Sequence, residues 1–506
     1  MNKIKTLQNK QLYYLILALG VVGFLSYVIM LWARPMESWT DDAFYTDWAL
    51  RISQGGFITH IWENGKPGYC PLYPLILAGW IKLFGFSYFS VHILGVIVSL
   101  IVYYLIVFRL PHLSWTKDTW SIIFFSFCYW LSPNIMYIMN CGRHDFLCIL
   151  WGILAIDAFI RAYENNDKVQ IGLFCLWAAL LMWTGLEGVI FLAIIVAIYS
   201  CYDIKQSLHK WYIYVLYALS TIGAFIAEFF YLLHYHCGKT FIVSIIGHST
   251  IASKIENFIQ TGVWQSAPDA IQNDTSLSFI DKFLLKGSFG GIFGNKEYWM
   301  LLIGLSILLL IIVFTRRNKF QFNRFEKTLA VASYILPLVF ILLIGRYAYY
   351  YTWGAYIPLI IFLTALTNQI PWRKYIYPLV VIGIAVCLYV HSPNSDFIRW
   401  DAKRVIDKQH MHEIEVADIQ DNETVYIPYE WYYYIAERSE NFYAYWSFRY
   451  PVTMKKMILS TDKELREWGQ RLDLELIEQV GIYRIYKVTG EKIPGYLLPL
   501  SEFTYE

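Results

Sequence analysis

WTDDAFYTDWALRISQGGFITHIWENGKPGYCPLYPLILAGWIKLFG, residues 39–85, opens with two adjacent acids directly after a long apolar run. Asp41 and Asp42 begin a segment with helical periodicity, in which Phe44, Trp48 and Ile52 recur at i, i+4 and i+8. Ionised carboxylates beside a low-dielectric boundary are costly to keep. One can serve as a general base, and a second can hold a cation or orient the first. The plainer alternative is helix capping, because acids favour a first turn. The rest of the stretch adds the glycine pair Gly55 and Gly56, a basic turn Lys66-Pro67-Gly68, and Pro71-Leu72-Tyr73-Pro74 at the opening of a second apolar segment.

The 506-residue chain is 57% hydrophobic and 16% charged, with 20 Trp and 41 Tyr. That balance excludes an ordinary soluble protein and specifies a multipass membrane protein whose constant partner is the lipid bilayer. A net charge of +2 gives no electrostatic footprint for nucleic acid, so no nucleic-acid partner is expected. The 8 cysteines show no CxxC and no Cys/His zinc-type spacing. Most sit inside apolar runs and read as small buried hydrophobes, and no structural metal is expected from them. MNKIK followed by the apolar run 12–32 resembles a signal sequence, but the run is too long and lacks a small-residue cleavage site. It reads as a retained first membrane helix.

Apolar runs near 11–32, 89–108, 119–139, 145–161, 211–233, 298–315, 328–345, 350–369 and 375–391 suit a bilayer core of ~30 Å, which takes about 20 helical residues. The run 171–200 is longer, and Trp183-Thr-Gly-Leu-Glu-Gly188 interrupts it with two glycines and an acid, so it reads as two short helices joined by a tight turn. With that pair counted as two and 71–86 laid on the interface, one face collects Lys3, Lys5, Lys10, Arg109, Lys117, Arg161, Lys168, Lys205, Lys210, Arg316, Arg317, Lys319, Arg324, Lys327, Arg373 and Lys374. The positive-inside rule makes that face cytoplasmic. The expected fold is an all-α multipass transmembrane bundle of about eleven helices over 1–391. Its amino terminus is cytoplasmic, in the plasma (inner) membrane, and its extracytoplasmic loops span 33–88 and 234–297. Residues 392–506 are more charged and read as a small extracytoplasmic α/β domain. Strands at Thr424–Ile427, Leu474–Val480 and Ile482–Val488 alternate there with helices at Trp431–Ala436 and Asp462–Arg471, with no evident catalytic constellation.

This topology gathers titratable residues at the extracytoplasmic face. Arg143 and Asp145 sit in a short turn between two spans, where the planar fork of arginine suits phosphate oxygens. Helix capping by Asp145 and snorkelling by Arg143 is the alternative. Arg346, with Tyr347, runs against the inside-positive bias, a reason to expect a task for it. Glu187 and Glu228 are the acids most embedded in apolar sequence, and Glu187, at an outer turn, is the better site candidate. Asp157 and Arg161 read as a plain i,i+4 ion pair. His234, His236 and His248 match no ligand spacing, and GSFGGIFG at 287–294 lacks the preceding strand of a nucleotide-binding turn, so it reads as a lid.

Asp41-Asp42-x-x-Tyr45, the Pro71-Leu-Tyr-Pro74 segment, Arg143 with Asp145, and Arg346 with Tyr347 follow one another over roughly residues 12–370. In this order they resemble the C superfamily of membrane glycosyltransferases (GT-C), in the branch of the protein O-mannosyltransferases and the lipid A aminoarabinose transferases. The resemblance implies inverting transfer of a hexosyl or pentosyl group from a polyprenyl-phosphate-linked donor to a hydroxyl of a lipid, glycan or protein acceptor. It implies that Asp41 is the base. Asp42 stands where the family usually has Glu, which leaves open which acid is the base and whether a divalent cation takes part; no other cofactor is implied. Tyr45, Lys66, Arg143, Asp145, Arg346 and Tyr347, together with Glu187, are the expected substrate-binding residues, with Arg346 on the donor phosphate. The competing class is a lipid-linked glycan flippase or ion-coupled transporter using Glu187 and Glu228 as proton sites. Against it, the acids cluster at one face, and no pair of broken helices recurs in two halves. A glycan polymerase or ligase would share the donor but transfer a whole chain.

Overall fold

The computed structural model describes residues 2–33, 40–55, 70–110, 113–140, 142–234, 296–315, 321–344, 351–370, 373–391, 424–427, 431–437, 443–445, 455–459, 462–480 and 483–493. In chain order the helices are α1 (Asn2–Ala33), α2 (Thr40–Ser53), α3 (Leu72–Phe84), α4 (Tyr88–Tyr104, continued by a π turn to Arg109), α5 (Thr119–Trp130) and α6 (Pro133–Asn140). They are followed by α7 (Asp145–Asn165), α8 (Lys168–Thr184), α9 (Leu186–Cys201), α10 (Ile204–His209), α11 (Trp211–His234), α12 (Lys296–Thr315), α13 (Arg324–Ile344), α14 (Trp353–Asn368) and α15 (Arg373–His391). Every apolar run expected to enter the membrane is, among the described residues, largely helical. Among the described residues, Lys10–Trp32, Tyr88–Arg109, Asp145–Asn165 and Trp211–Tyr231 are long and apolar enough to cross a bilayer, and α3, α8, α9 and α14 are shorter apolar helices. The chain is a multipass membrane protein.

Two compact units form. The first comprises Met1–Ile29, Gly95–Phe229 and Ile242–Ser392, and the second Met30–Leu94, Phe230–Phe241 and Pro393–Glu506.

In the first unit, the run 171–200 is two helices, as its glycines predict. Asp167 caps α8 by accepting from the Val169 and Gln170 N–H groups at 2.9 and 3.3 Å, and Gly185 both ends α8 and precedes α9. The single span expected over 119–139 is instead a pair, α5 and α6, bent by 57°. Pro133 cannot continue the hydrogen-bond ladder of α5, and the Ser132 hydroxyl accepts from the Ile135 N–H at 3.1 Å to start the new helix. One end of this unit is a charged network. Asp157 accepts from Arg109 Nε at 2.8 Å and from Arg161 Nε at 2.7 Å, and Arg373 donates to Asp118 at 2.9 Å. Arg324 donates to the Tyr199 carbonyl at 2.6 Å and lies 4.6 and 4.2 Å over the Tyr163 and Tyr199 rings. Much of the basic cluster predicted for one membrane face therefore shares one end of the unit. Helix polarity puts the starts of α7, α9 and α14 at the opposite end. Trp211, Leu219 and Ile222 of α11 point outward, as side chains facing lipid do.

The second unit joins residues 30–94 to the C-terminal segment. Asp41 and Asp42 lie in the first turn of α2, where the helix dipole favours negative charge, and Gly55 (φ +87°) lies just past its end. The C-terminal strands β1 (Thr424–Tyr426), β2 (Tyr443–Tyr445), β3 (Lys456–Leu459), β4 (Leu472–Val480) and β5 (Tyr483–Glu491) form one sheet in the order β2-β1-β3-β5-β4. β1 is parallel to β2 and β3, and β5 is antiparallel to β3 and β4. Helix α17 (Asp462–Gly469) covers it with Trp468, which packs among Tyr426, Met457, Leu459, Leu472 and Tyr486. The sequence pattern marks β1, β4, β5, α17 and the short helix α16 (Tyr432–Ala436), and β2 and β3 are strands that it did not mark.

Candidate functional site

The second unit builds a buried polar network on α2. Asp42 is 1% exposed, and its Oδ1 accepts from the Tyr433 hydroxyl at 2.7 Å and from the Thr46 hydroxyl at 3.3 Å. Oδ2 meets His92 Nε2 at 3.2 Å. The other ring nitrogen of His92, Nδ1, lies 2.8 Å from the Tyr88 carbonyl, which can only accept, so Nδ1 carries a hydrogen. The Nε2 contact to Asp42 then needs one more proton: imidazolium facing carboxylate, or neutral imidazole facing carboxylic acid. One turn along α2, Asp47 accepts from Arg51 Nε at 2.7 Å and from the Tyr432 hydroxyl at 3.3 Å.

Both tyrosines come from α16, in the segment where the sequence suggested no constellation. Phe86 stacks on Tyr433 at 6.0 Å, Tyr88 meets it edge-on at 5.0 Å, and Glu437 accepts from the Tyr88 N–H at 2.7 Å. Burial, reinforced by the Asp42 carboxylate, pushes the Tyr433 phenol well above its ordinary range, and burial with Asp47 does the same to Tyr432. Both remain hydrogen-bond donors at neutral pH. Asp41 is half-buried and Asp42 buried, so the first of the two carboxylates is the more accessible. Tyr45 is buried and packs edge-on against Tyr73 at 5.5 Å, inside an aromatic cluster with Phe44 and Trp48.

The first unit builds a second cluster where α7 and α9 begin. Arg143 is 5% exposed and donates through Nε to Asp145 Oδ2 at 2.7 Å, while Asp145 Oδ1 accepts from Trp353 Nε1 of α14 at 3.2 Å. His144 Nε2 pairs with Glu187 Oε1. Cys148, one turn into α7, brings its sulfur to the same place, and one ligand atom from each of His144, Cys148 and Glu187 lies within 4.8 Å of the others. These are the described residues whose chemistry and spacing could hold a metal ion.

The structure thus ties Asp42 to partners in the second unit and joins Arg143, Asp145 and Glu187 to one cluster in the first. Lys66, Arg346 and Tyr347 lie outside the described residues, as do His236, His248 and the segment 287–294. Sequence reading missed His92, Tyr432, Tyr433, His144 and Cys148. His92 and the tyrosines had no local signal. His144 and Cys148 had one, the His-x-x-x-Cys spacing that puts both on one helix face.

No family model matches the chain, and no curated protein does. It is similar to the crystal structure of ArnT from Cupriavidus metallidurans bound to undecaprenyl phosphate, with 11% identity, 96% of this chain and 99% of that chain covered, and a TM-score of 0.43. It is also similar to the Archaeoglobus fulgidus oligosaccharyltransferase solved with zinc and sulfate, with 11% identity, 93% of this chain and 73% of that chain covered, and a TM-score of 0.45. Both are membrane glycosyltransferases of the GT-C superfamily, the one that the loop motifs resemble. Likeness this distant assigns no chemistry.

Proposed function

We propose that the chain is an inverting glycosyltransferase that moves a hexosyl or pentosyl group from a polyprenyl-phosphate donor to a hydroxyl acceptor at the extracytoplasmic membrane face. The observation that carries this reading is the first turn of α2. There a half-buried carboxylate, Asp41, stands beside a buried one, Asp42, that His92 and Tyr433 hold in place. Asp42 is already held by three side chains, so it positions the turn, and Asp41, the more exposed of the two, is the base. Asp41 takes the proton of the acceptor hydroxyl as that oxygen bonds to the anomeric carbon. The bond from that carbon to the phosphate oxygen breaks, and its electron pair leaves on the polyprenyl phosphate. Attack opposite the leaving group inverts the centre.

The donor is lipid-linked because nucleotide sugars are scarce outside the cytoplasm and the sequence carries no Walker or dinucleotide-binding signature. Arg346 is assigned to the departing phosphate charge, with Tyr347 beside it in sequence and Arg143 and Lys66 as further cationic contacts. The acceptor is a lipid, glycan or protein hydroxyl. The test is Asp41→Asn in membranes supplied with a polyprenyl-phosphate sugar. Transfer is expected to fall by about 10²- to 10⁴-fold, the usual worth of a general base. Undiminished transfer would reject Asp41 as the base, and donor lipid crossing the bilayer without transfer in the unmodified protein would establish the transporter reading instead.

A further inference from the structure

We propose that His144, Cys148 and Glu187 bind one zinc ion, at a site whose existence does not depend on the sugar-transfer reading. All three are buried, and their ligand atoms converge within 4.8 Å. His144 directly precedes α7 and Cys148 lies four residues on, so imidazole and thiol share one face of that helix; Glu187 enters from the first turn of α9. An imidazole nitrogen, a thiolate and a carboxylate are the donor types that zinc selects over the hard cations, which prefer oxygen alone.

Charge and space both favour the ion. A thiolate and a carboxylate cancel its two positive charges, so the filled site is neutral with a neutral imidazole. Neutrality matters where low dielectric penalises net charge. The neighbouring Arg143 is already balanced by Asp145 at 2.7 Å. Two glycines keep the volume open. A Cβ on Gly185 would lie 2.8 Å from the His144 ring and 3.0 Å from the Glu187 carboxyl carbon, and one on Gly188, which would first meet Leu181 at 2.5 Å, would also lie 3.2 Å from Cys148 Sγ. Zinc–ligand bonds of about 2.0–2.3 Å set tetrahedral donors roughly 3.3–3.8 Å apart. The three donors reach that spacing by small side-chain movements, with the His144–Glu187 contact opening to admit the ion. Three protein ligands leave a fourth position for water or another donor.

The full-length protein in detergent, incubated with zinc and desalted, tests the site by elemental analysis; cobalt substitution then reads the ligands spectroscopically. The expected result is about one zinc per chain, and a cobalt form with near-ultraviolet thiolate charge-transfer absorption and visible bands of tetrahedral intensity. Cys148→Ser and Glu187→Gln are expected to weaken zinc binding about tenfold or more, while Cys201→Ser, at an exposed cysteine, leaves it unchanged. Substoichiometric zinc in the unmodified protein, a cobalt spectrum without thiolate absorption, or zinc retained at full affinity by Cys148→Ser would each overturn the proposal and leave a thiol beside a His–Glu ion pair. The cobalt spectrum needs no variant, so a misfolded substitution does not decide the outcome.

Discussion

Each unit buries one carboxylate against one histidine, and the two pairs are built differently. In the second unit every side of the pair is committed: His92 Nδ1 to the Tyr88 carbonyl at 2.8 Å, and Asp42 Oδ1 to Tyr433 at 2.7 Å and Thr46 at 3.3 Å. In the first unit the His144–Glu187 pair has a thiol for a neighbour and two glycines behind it. A carboxylate fixed by hydroxyls and a ring becomes a rigid acceptor with one shared proton. A carboxylate beside sulfur, with side-chain volume withheld around it, becomes a ligand set. The contrast lies in what surrounds the pair, since the paired groups are chemically alike.

Breaking the rigid pair should have the largest effect. Asp42→Asn preserves shape but removes the anionic acceptor from His92 and Tyr433, and loss of one member of a buried charged pair costs about 3 kcal/mol or more. Glycosyl transfer is expected to fall by roughly a hundredfold or more if that cost is felt at the transition state. Transfer within about twofold of the unmodified rate would show that the network is not needed to position Asp41. Gly185→Ala attacks the other pair through space alone. Its Cβ would sit 2.8 Å from the His144 ring, so the ring or the α8–α9 joint must move, and overpacking of this kind costs about 1–3 kcal/mol. Thermal unfolding in detergent should show a lowered midpoint. Gly172→Ala in α8, where a Cβ meets nothing within 4 Å, should show no loss.

The two pairs also differ in how far the sequence revealed them. Asp41 and Asp42 were legible because dipole preference and periodicity are local, and the Gly185 break was legible because two glycines and an acid interrupt one apolar run. The end of α5 had its own signal in Ser132-Pro133, but continuous hydropathy over 119–139 outweighed it. His92 looked like one polar residue in an apolar helix, and its partner Asp42 lies 50 residues earlier. Tyr433 is 391 residues from the carboxylate it serves, inside a segment whose aromatic pattern reads equally well as packing. His144 and Cys148 were readable in principle, since four residues is one helical turn; classing every cysteine in an apolar run as a core residue concealed them.

The smallest effect separates the contribution of Tyr433 from that of the whole network. Tyr433→Phe keeps the ring that packs on Phe86 and His92 and deletes the donor to Asp42, leaving Thr46 and His92 in place. A hydrogen bond to a charged group is worth about 1.5–3 kcal/mol, and relaxation of the remaining donors should hold the loss in transfer to about tenfold. The pH dependence sharpens the reading. Burial and the Asp42 carboxylate hold the phenol well above its ordinary value of about 10, so it stays protonated through neutral and mildly alkaline solution. The ratio of unmodified to Tyr433→Phe rates should therefore stay constant through neutral and alkaline solution, including the range in which an ordinary phenol ionises. A ratio that already collapses near neutrality would mean that the hydroxyl titrates in the working range, and that Asp42 is steadied by His92 and Thr46 without it.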